Sequence, residues 1–226
     1  MGVIEDEYGP EHLQALLSFL REENETPRTR AAKPLLQADD FYQNYRKGPF
    51  ALYALSQYIG RDRLNGALRN LLAKHRPGTT PFATSLDLYK ELQTATPDSL
   101  QPLLHDLFQA NTFWELATET ATAKQLNGGT WQVTLTLQAS KLAVDSAGTE
   151  TKLPMKDWVE IGIYASADKG KEVGKQLYRQ KHLIKSGQQT IVLTVPGRPA
   201  NVNIDPRHLL IDWKLQDNDQ VVKTKD

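Results

Sequence analysis

The sequence predicts a multidomain chain, α then β: an antiparallel α-helical array followed by an antiparallel, Ig-like β-sandwich. Apolar residues recur every three or four positions from Pro10 to about Phe108, then every second position beyond Trp114. Those are the periods of an amphipathic helix and of a half-buried strand. The change of period places the boundary, with a helical domain over 1–114 and a sandwich over 115–226. A length of 226 residues is enough to bury one large core or two small ones.

The helices read in order. Pro10 suits a first turn, and His12, Leu13, Leu16, Leu17 and Leu20 then line one face through Glu22. Residues 23–33 are polar, with Pro27 and the basic Arg21, Arg28, Arg30 and Lys33 in or beside them, an exposed connection to Pro34-Leu35-Leu36. Next comes the stretch Asn44–Leu55. Gly48-Pro49 punctuates its start, Phe50, Tyr53, Ala54 and Ile59 follow, and Leu52 and Leu55 fill the rest of the circumference. A helix apolar all round is a buried one, and this one ends near Gly60. Asp62 is placed to cap the next helix, which carries Leu64, Ala67, Leu68, Leu71 and Leu72. Lys74, His75 and Arg76 suit its negative end, and Pro77-Gly78 stops it. Thr84 and Asp87 have capping-box spacing for a helix to about Thr94. Thr96-Pro97-Asp98 is a further start signal, before Leu100, Leu103, Leu104, Leu107 and Phe108.

The strands follow. Thr118, Thr120 and Thr122 alternate with Ala117, Glu119 and Ala121, and Trp131, Val133, Leu135 and Leu137 alternate beyond Asn127-Gly128. Period two on both sides of Asn-Gly is a hairpin signal. Val159, Ile161 and Ile163 make another strand, and Leu177–Ile184 with Thr190–Val195 reads as a second hairpin around Ser186-Gly187. Val202 and Ile204 form a short last strand. Trp131 and Trp158 are expected in the sandwich core, and the polar tail from Gln216 is expected to fray.

Composition excludes several functions. Twenty-seven basic and 27 acidic residues cancel, so nothing suggests a nucleic-acid partner. No apolar run approaches the roughly 20 residues that span a bilayer, so no membrane contact by this chain is expected. With no cysteine, disulfides and thiol catalysis are absent, while the compartment stays open. The five histidines, His12, His75, His105, His182 and His208, include no pair four apart, and no metal site or other cofactor is expected within the chain. Neither Gly-x-Ser-x-Gly nor a phosphate loop occurs.

What remains is Tyr45-Arg46-Lys47-Gly48, at the threshold of the buried helix. A phenol, with pKa about 10, keeps its proton at neutral pH and can donate to a developing oxyanion. The alternative is a tyrosine packed at a helix entrance. Arg46 and Lys47 read as solvated charges at a helix start, as residues that hold the preceding loop, or as partners of a carboxylate in a missing domain. Gly48 suits close backbone packing.

Tyr-Arg-Lys-Gly before an apolar helix resembles the Tyr-x-Lys-Gly segment of the aminopeptidase N/leukotriene hydrolase family of zinc metallopeptidases (gluzincins), bacterial members in particular. The likeness continues through Tyr58-Ile59-Gly60, Asn111-Thr112-Phe113-Trp114-Glu115 and Pro154-Met155-Lys156-Asp157-Trp158, over nearly the whole chain. It implies that Tyr45 is catalytic, hydrogen-bonding the oxyanion of a tetrahedral intermediate. The family's His-Glu-x-x-His is missing, and Met1–Gly9 resembles a segment downstream of the third zinc ligand. The resemblance therefore implies a C-terminal fragment, inactive alone. Its partners would be the missing zinc-binding domain of the same parent and, in the parent, zinc and a peptide substrate. Some of the resembled members are fused to transporter-like proteins, which leaves a membrane-associated parent open. The competing reading is a noncatalytic protein-binding module, a helical platform with a β-sandwich.

Overall fold

The computed structural model describes residues 2–22, 33–39, 41, 43–76, 78, 80–167, 169 and 174–224. Nearly all of the expected polar connection at 23–33 lies outside the described residues. The chain divides into two compact units, Met1–Thr112 with Ala143–Thr151, and Phe113–Leu142 with Lys152–Asp226. The chain leaves the second unit over Ala143–Thr151 and returns to it.

Among the described residues the first unit contains six α-helices: α1 (Gly2–Tyr8), α2 (Pro10–Glu22), α3 (Gly48–Ile59), α4 (Arg61–Lys74), α5 (Ser85–Ala95) and α6 (Gln101–Phe108). Its core gathers Leu13, Leu17 and Leu20 of α2, most of α3, Leu92 of α5 and Leu103, Leu104, Leu107 and Phe108 of α6. The seven buried residues of α3 run round its circumference, as an apolar helix requires. The start of α4 differs from expectation: Gly60, at φ 93°, caps it and Asp62 sits in its first turn. Thr84 and Asp87 make a reciprocal capping box on α5. Thr96 does not start a helix. Its hydroxyl donates back to Leu92 O at 2.7 Å, and a 3-10 turn over Asp98–Leu100 precedes α6.

Nine strands follow: β1 (Thr112–Gln125), β2 (Trp131–Val144), β3 (Glu150–Leu153), β4 (Lys156–Tyr164), β5 (Gln176–Lys185), β6 (Gly187–Val195), β7 (Asn201–Ile204), β8 (Asp219–Val221) and β9 (Lys223–Thr224). One sheet has the order β3-β2-β1-β9, with β6 also on β2, and the other has β5-β4-β7-β8. β1 and β9 pair in parallel, so the first sheet is mixed, while β4, β5, β7 and β8 are antiparallel. Val133, Leu135 and Leu137 of β2 and Val159, Ile161 and Ile163 of β4 are completely buried.

This corrects the expected architecture. Short helices, a mixed five-stranded sheet with a branch at β2 and a separate four-stranded sheet replace an antiparallel helical array followed by an Ig-like sandwich. Period two reports that a segment is extended and which face it buries, but not its partner or direction. The Ser186-Gly187 turn illustrates the error. It does not close a hairpin, because β5 pairs with β4 and β6 pairs with β2 in the other sheet. Ser186 is held by Met155, whose N–H donates to Ser186 Oγ at 2.8 Å, and Gly187 supplies φ 90° for the crossing. The tail also departs from expectation. Through Thr224 it forms β8 and β9, and Asn218 is fully buried. Trp158 is 39% exposed and Trp131 half-buried, whereas Trp114 takes the core position, its Nε1 donating to Asp157 Oδ2 at 2.9 Å. Among the described residues no helix is long and apolar enough to cross a membrane.

Candidate functional site

Tyr45 lies in a π-helical turn, Gln43–Lys47, that runs directly into α3. The local cause is Pro49. Having no N–H, it cannot close an α-helical bond onto the Tyr45 carbonyl, and a ladder relieved of that bond can widen by one residue. Gly48 fits the wider turn, since a Cβ there would lie 3.2 Å from Gln43 O. The helical path therefore begins upstream of the Gly48-Pro49 start read from the sequence.

The turn separates its side chains sharply. Gln43, Arg46 and Lys47 are buried, whereas Tyr45 is 64% exposed. Gln43 Nε2 donates to Lys33 O at 3.0 Å and its Oε1 accepts from Asp39 N at 3.3 Å. Arg46 donates to Phe19 O at 2.9 Å and lies over the Phe19 ring, 3.9 Å from its centroid. Lys47 Nζ donates to Asn111 Oδ1 at 2.8 Å, and Asn111 in turn donates to Val144 O at 3.3 Å. Burial pushes the Lys47 ammonium down to about 8. Solvated charges at a helix start are thus corrected for both cations. Each holds the turn to a neighbouring segment of the first unit.

Tyr45 stacks on Phe41, with ring centroids 4.8 Å apart and planes 26° from parallel. Phe41 is itself exposed. The result is a phenol presented from a braced turn, its ring held on one face by a second aromatic. Sequence reasoning singled out Tyr45 through the resemblance and did not foresee the burial of Arg46 and Lys47. The signal available was Gly48-Pro49 after two cations, but a burial site for an ammonium becomes visible only once Asn111, 64 residues away, is placed beside it.

The histidines do not converge. His12 Nδ1 lies 2.6 Å from Tyr8 O and His75 Nδ1 lies 3.4 Å from Pro81 O. His105 neighbours Asp106, and His182 Nε2 is 2.8 Å from the Tyr178 hydroxyl. Among the described residues no group of three or more His, Cys, Asp or Glu side chains could hold a metal ion.

No family model matches the chain, and no curated protein matches it. Among solved structures, a beta-glucosidase from Listeria innocua in complex with glucose matches at 10% identity and a TM-score of 0.26. The match covers 51% of this chain and 16% of that one. A likeness that slight carries no argument about activity.

Proposed function

We propose that this chain is the C-terminal part of a zinc-dependent aminopeptidase-like metallopeptidase, in which Tyr45 donates a hydrogen bond to the oxyanion formed at the scissile carbonyl. The observation that carries this reading is the contrast within one turn: Tyr45 exposed, Gln43, Arg46 and Lys47 buried and bonded. An oxyanion donor must reach outward to substrate while its backbone stays fixed, because preorganisation is what makes the donor effective. The described side chains do not fit a zinc ion, so in this reading the ligands lie on another part of the parent and no step is routed through them here. Phe41, stacked on the Tyr45 ring, restrains its orientation.

The test is Tyr45→Phe in the full parent enzyme. One hydroxyl is lost from an exposed ring, so folding is expected to be unchanged. The donor acts as negative charge develops, so kcat falls more than KM rises. A loss on the order of 10²–10³ in kcat is expected for a single oxyanion donor. Tyr53→Phe, in the buried wall of α3, is the control and leaves turnover nearly intact. Wild-type kcat for Tyr45→Phe on an aminoacyl substrate would refute the assignment. The exposed Phe41–Tyr45 pair would then favour the noncatalytic binding module, since paired exposed aromatics also suit a protein interface.

A further inference from the structure

A cavity of about 400 Å³ opens in the second unit on a face shared by β4, β7 and β8. The register sets Gly162 opposite Asn203, Tyr164 opposite Asn201, and Asn203 opposite Asp219. Alternate residues of the three strands therefore share that face. A Cβ on Gly162 would fall 2.7 Å from Tyr164 Cε2, so the Tyr164 ring occupies the space that any other residue would fill. Tyr164, Asn203, His208 and Asp219 stand in the cavity wall.

The hydrogen bonding of that wall is incomplete. Asn203 Nδ2 donates to Asp219 Oδ1 at 2.6 Å. The other end of the amide, Oδ1, is buried without a partner in a residue only 7% exposed. Among the described residues no hydrogen bond reaches Asp219 Oδ2. Arg207, in the turn that follows β7, is engaged by Glu160 through two contacts at 2.9 and 2.6 Å. A carboxylate and an aromatic ring thus face one space, with the unpartnered negative end of an amide dipole buried behind its wall. Such a wall favours a small donor-bearing cation and repels anions.

We propose that this cavity binds a primary alkylammonium group, as carried by a lysine side chain or a simple amine. Asp219 Oδ2 supplies the ion pair, the buried Asn203 Oδ1 adds its unpartnered negative end through space from behind the wall, and the Tyr164 ring packs beside the methylenes. The test is a nuclear magnetic resonance titration of the ¹⁵N-labelled full chain with Nα-acetyl-lysine methylamide, its norleucine counterpart and n-butylamine. Saturable shifts of the amides in β7 and β8 are expected with the lysine probe and not with norleucine. n-Butylamine separates recognition of the ammonium alone from recognition of a lysine residue, and binding by either supports the site. Asp219 is exposed, so Asp219→Asn is expected to fold normally, and it weakens binding by on the order of tenfold or more through loss of a charge-assisted bond. Equal shifts with norleucine, unchanged affinity in Asp219→Asn, or no shift with either amine would overturn the proposal.

Discussion

Asp212 makes the stability of the second unit depend on pH in an unusual direction. It is buried, and loss of solvation is the largest influence on its carboxyl, which is pushed up to about 6. Hydrogen bonds from Lys214 N and Leu116 N, each at 3.1 Å, offset part of that shift, and repulsion from Asp205 adds to it. The ordinary carboxyl value is 3.8. Between about pH 4 and pH 6 the folded state therefore holds a proton that the unfolded chain has released. Stability contributed by this group is greatest below that window and declines as pH rises through it. A shift of about two units corresponds to ~3 kcal/mol. Asp212→Asn removes the titration, at a constant cost of about 1–3 kcal/mol because an amide cannot accept from both N–H groups. The measurement is urea unfolding of both proteins at several pH values from 4 to 7. Trp114, Trp131, Trp158 and Trp213 all belong to the second unit, so tryptophan fluorescence follows that unit. The advantage of wild type over the variant should shrink by about 3 kcal/mol across the window. A difference that stays flat, or grows with pH, would refute the reasoning.

Other perturbations test the packing around the two sites. Lys47→Met leaves Asn111 Oδ1 without the donor now at 2.8 Å, and should cost the first unit about 1–3 kcal/mol by helix circular dichroism. Because burial lowers Lys47 to about 8, the unfolded chain binds more protons between pH 8 and 10.5. The wild-type contribution should therefore rise with pH across that window, and the variant should lose the rise. Asp157→Ala strips Lys141 Nζ of a buried carboxylate at 3.2 Å and Trp114 Nε1 of its acceptor. A loss of about 3–5 kcal/mol in urea unfolding is expected, and Lys141→Met in the same protein should restore part of it. In the proposed parent enzyme, Tyr45→Phe is expected to separate catalysis from folding, with kcat reduced and the melting temperature unchanged.

Much of the local structure was legible along the chain. The apolar circumference of residues 50–59, the Thr84 capping box and the alternation in β2 and β4 each depend on neighbours within about one turn or one strand. Tyr45 was singled out by the resemblance of Tyr45-Arg46-Lys47-Gly48 to a family motif, since its local spacing by itself reads as a tyrosine packed at a helix entrance. Its exposure was not legible, since that depends on which residues pack around the π-helical turn.

What required the tertiary structure were the choices made between distant residues. Ser186-Gly187 specifies a sharp turn, but whether the chain doubles back or crosses to another sheet depends on Met155 and on the free edge of β2. The polar residues after Gln216 carry little apolar pattern, yet β8 completes an edge beside β7 and β9 runs parallel to β1, because backbone groups at a sheet edge need partners whatever the side chains are. Lys47 and Arg46 could be buried only where Asn111 and the Phe19 carbonyl stood ready to accept their hydrogen bonds. Local periodicity sets which face of a segment avoids water. The partner that face or edge meets is set by long-range closure, where competing pairings differ by amounts that no short stretch encodes.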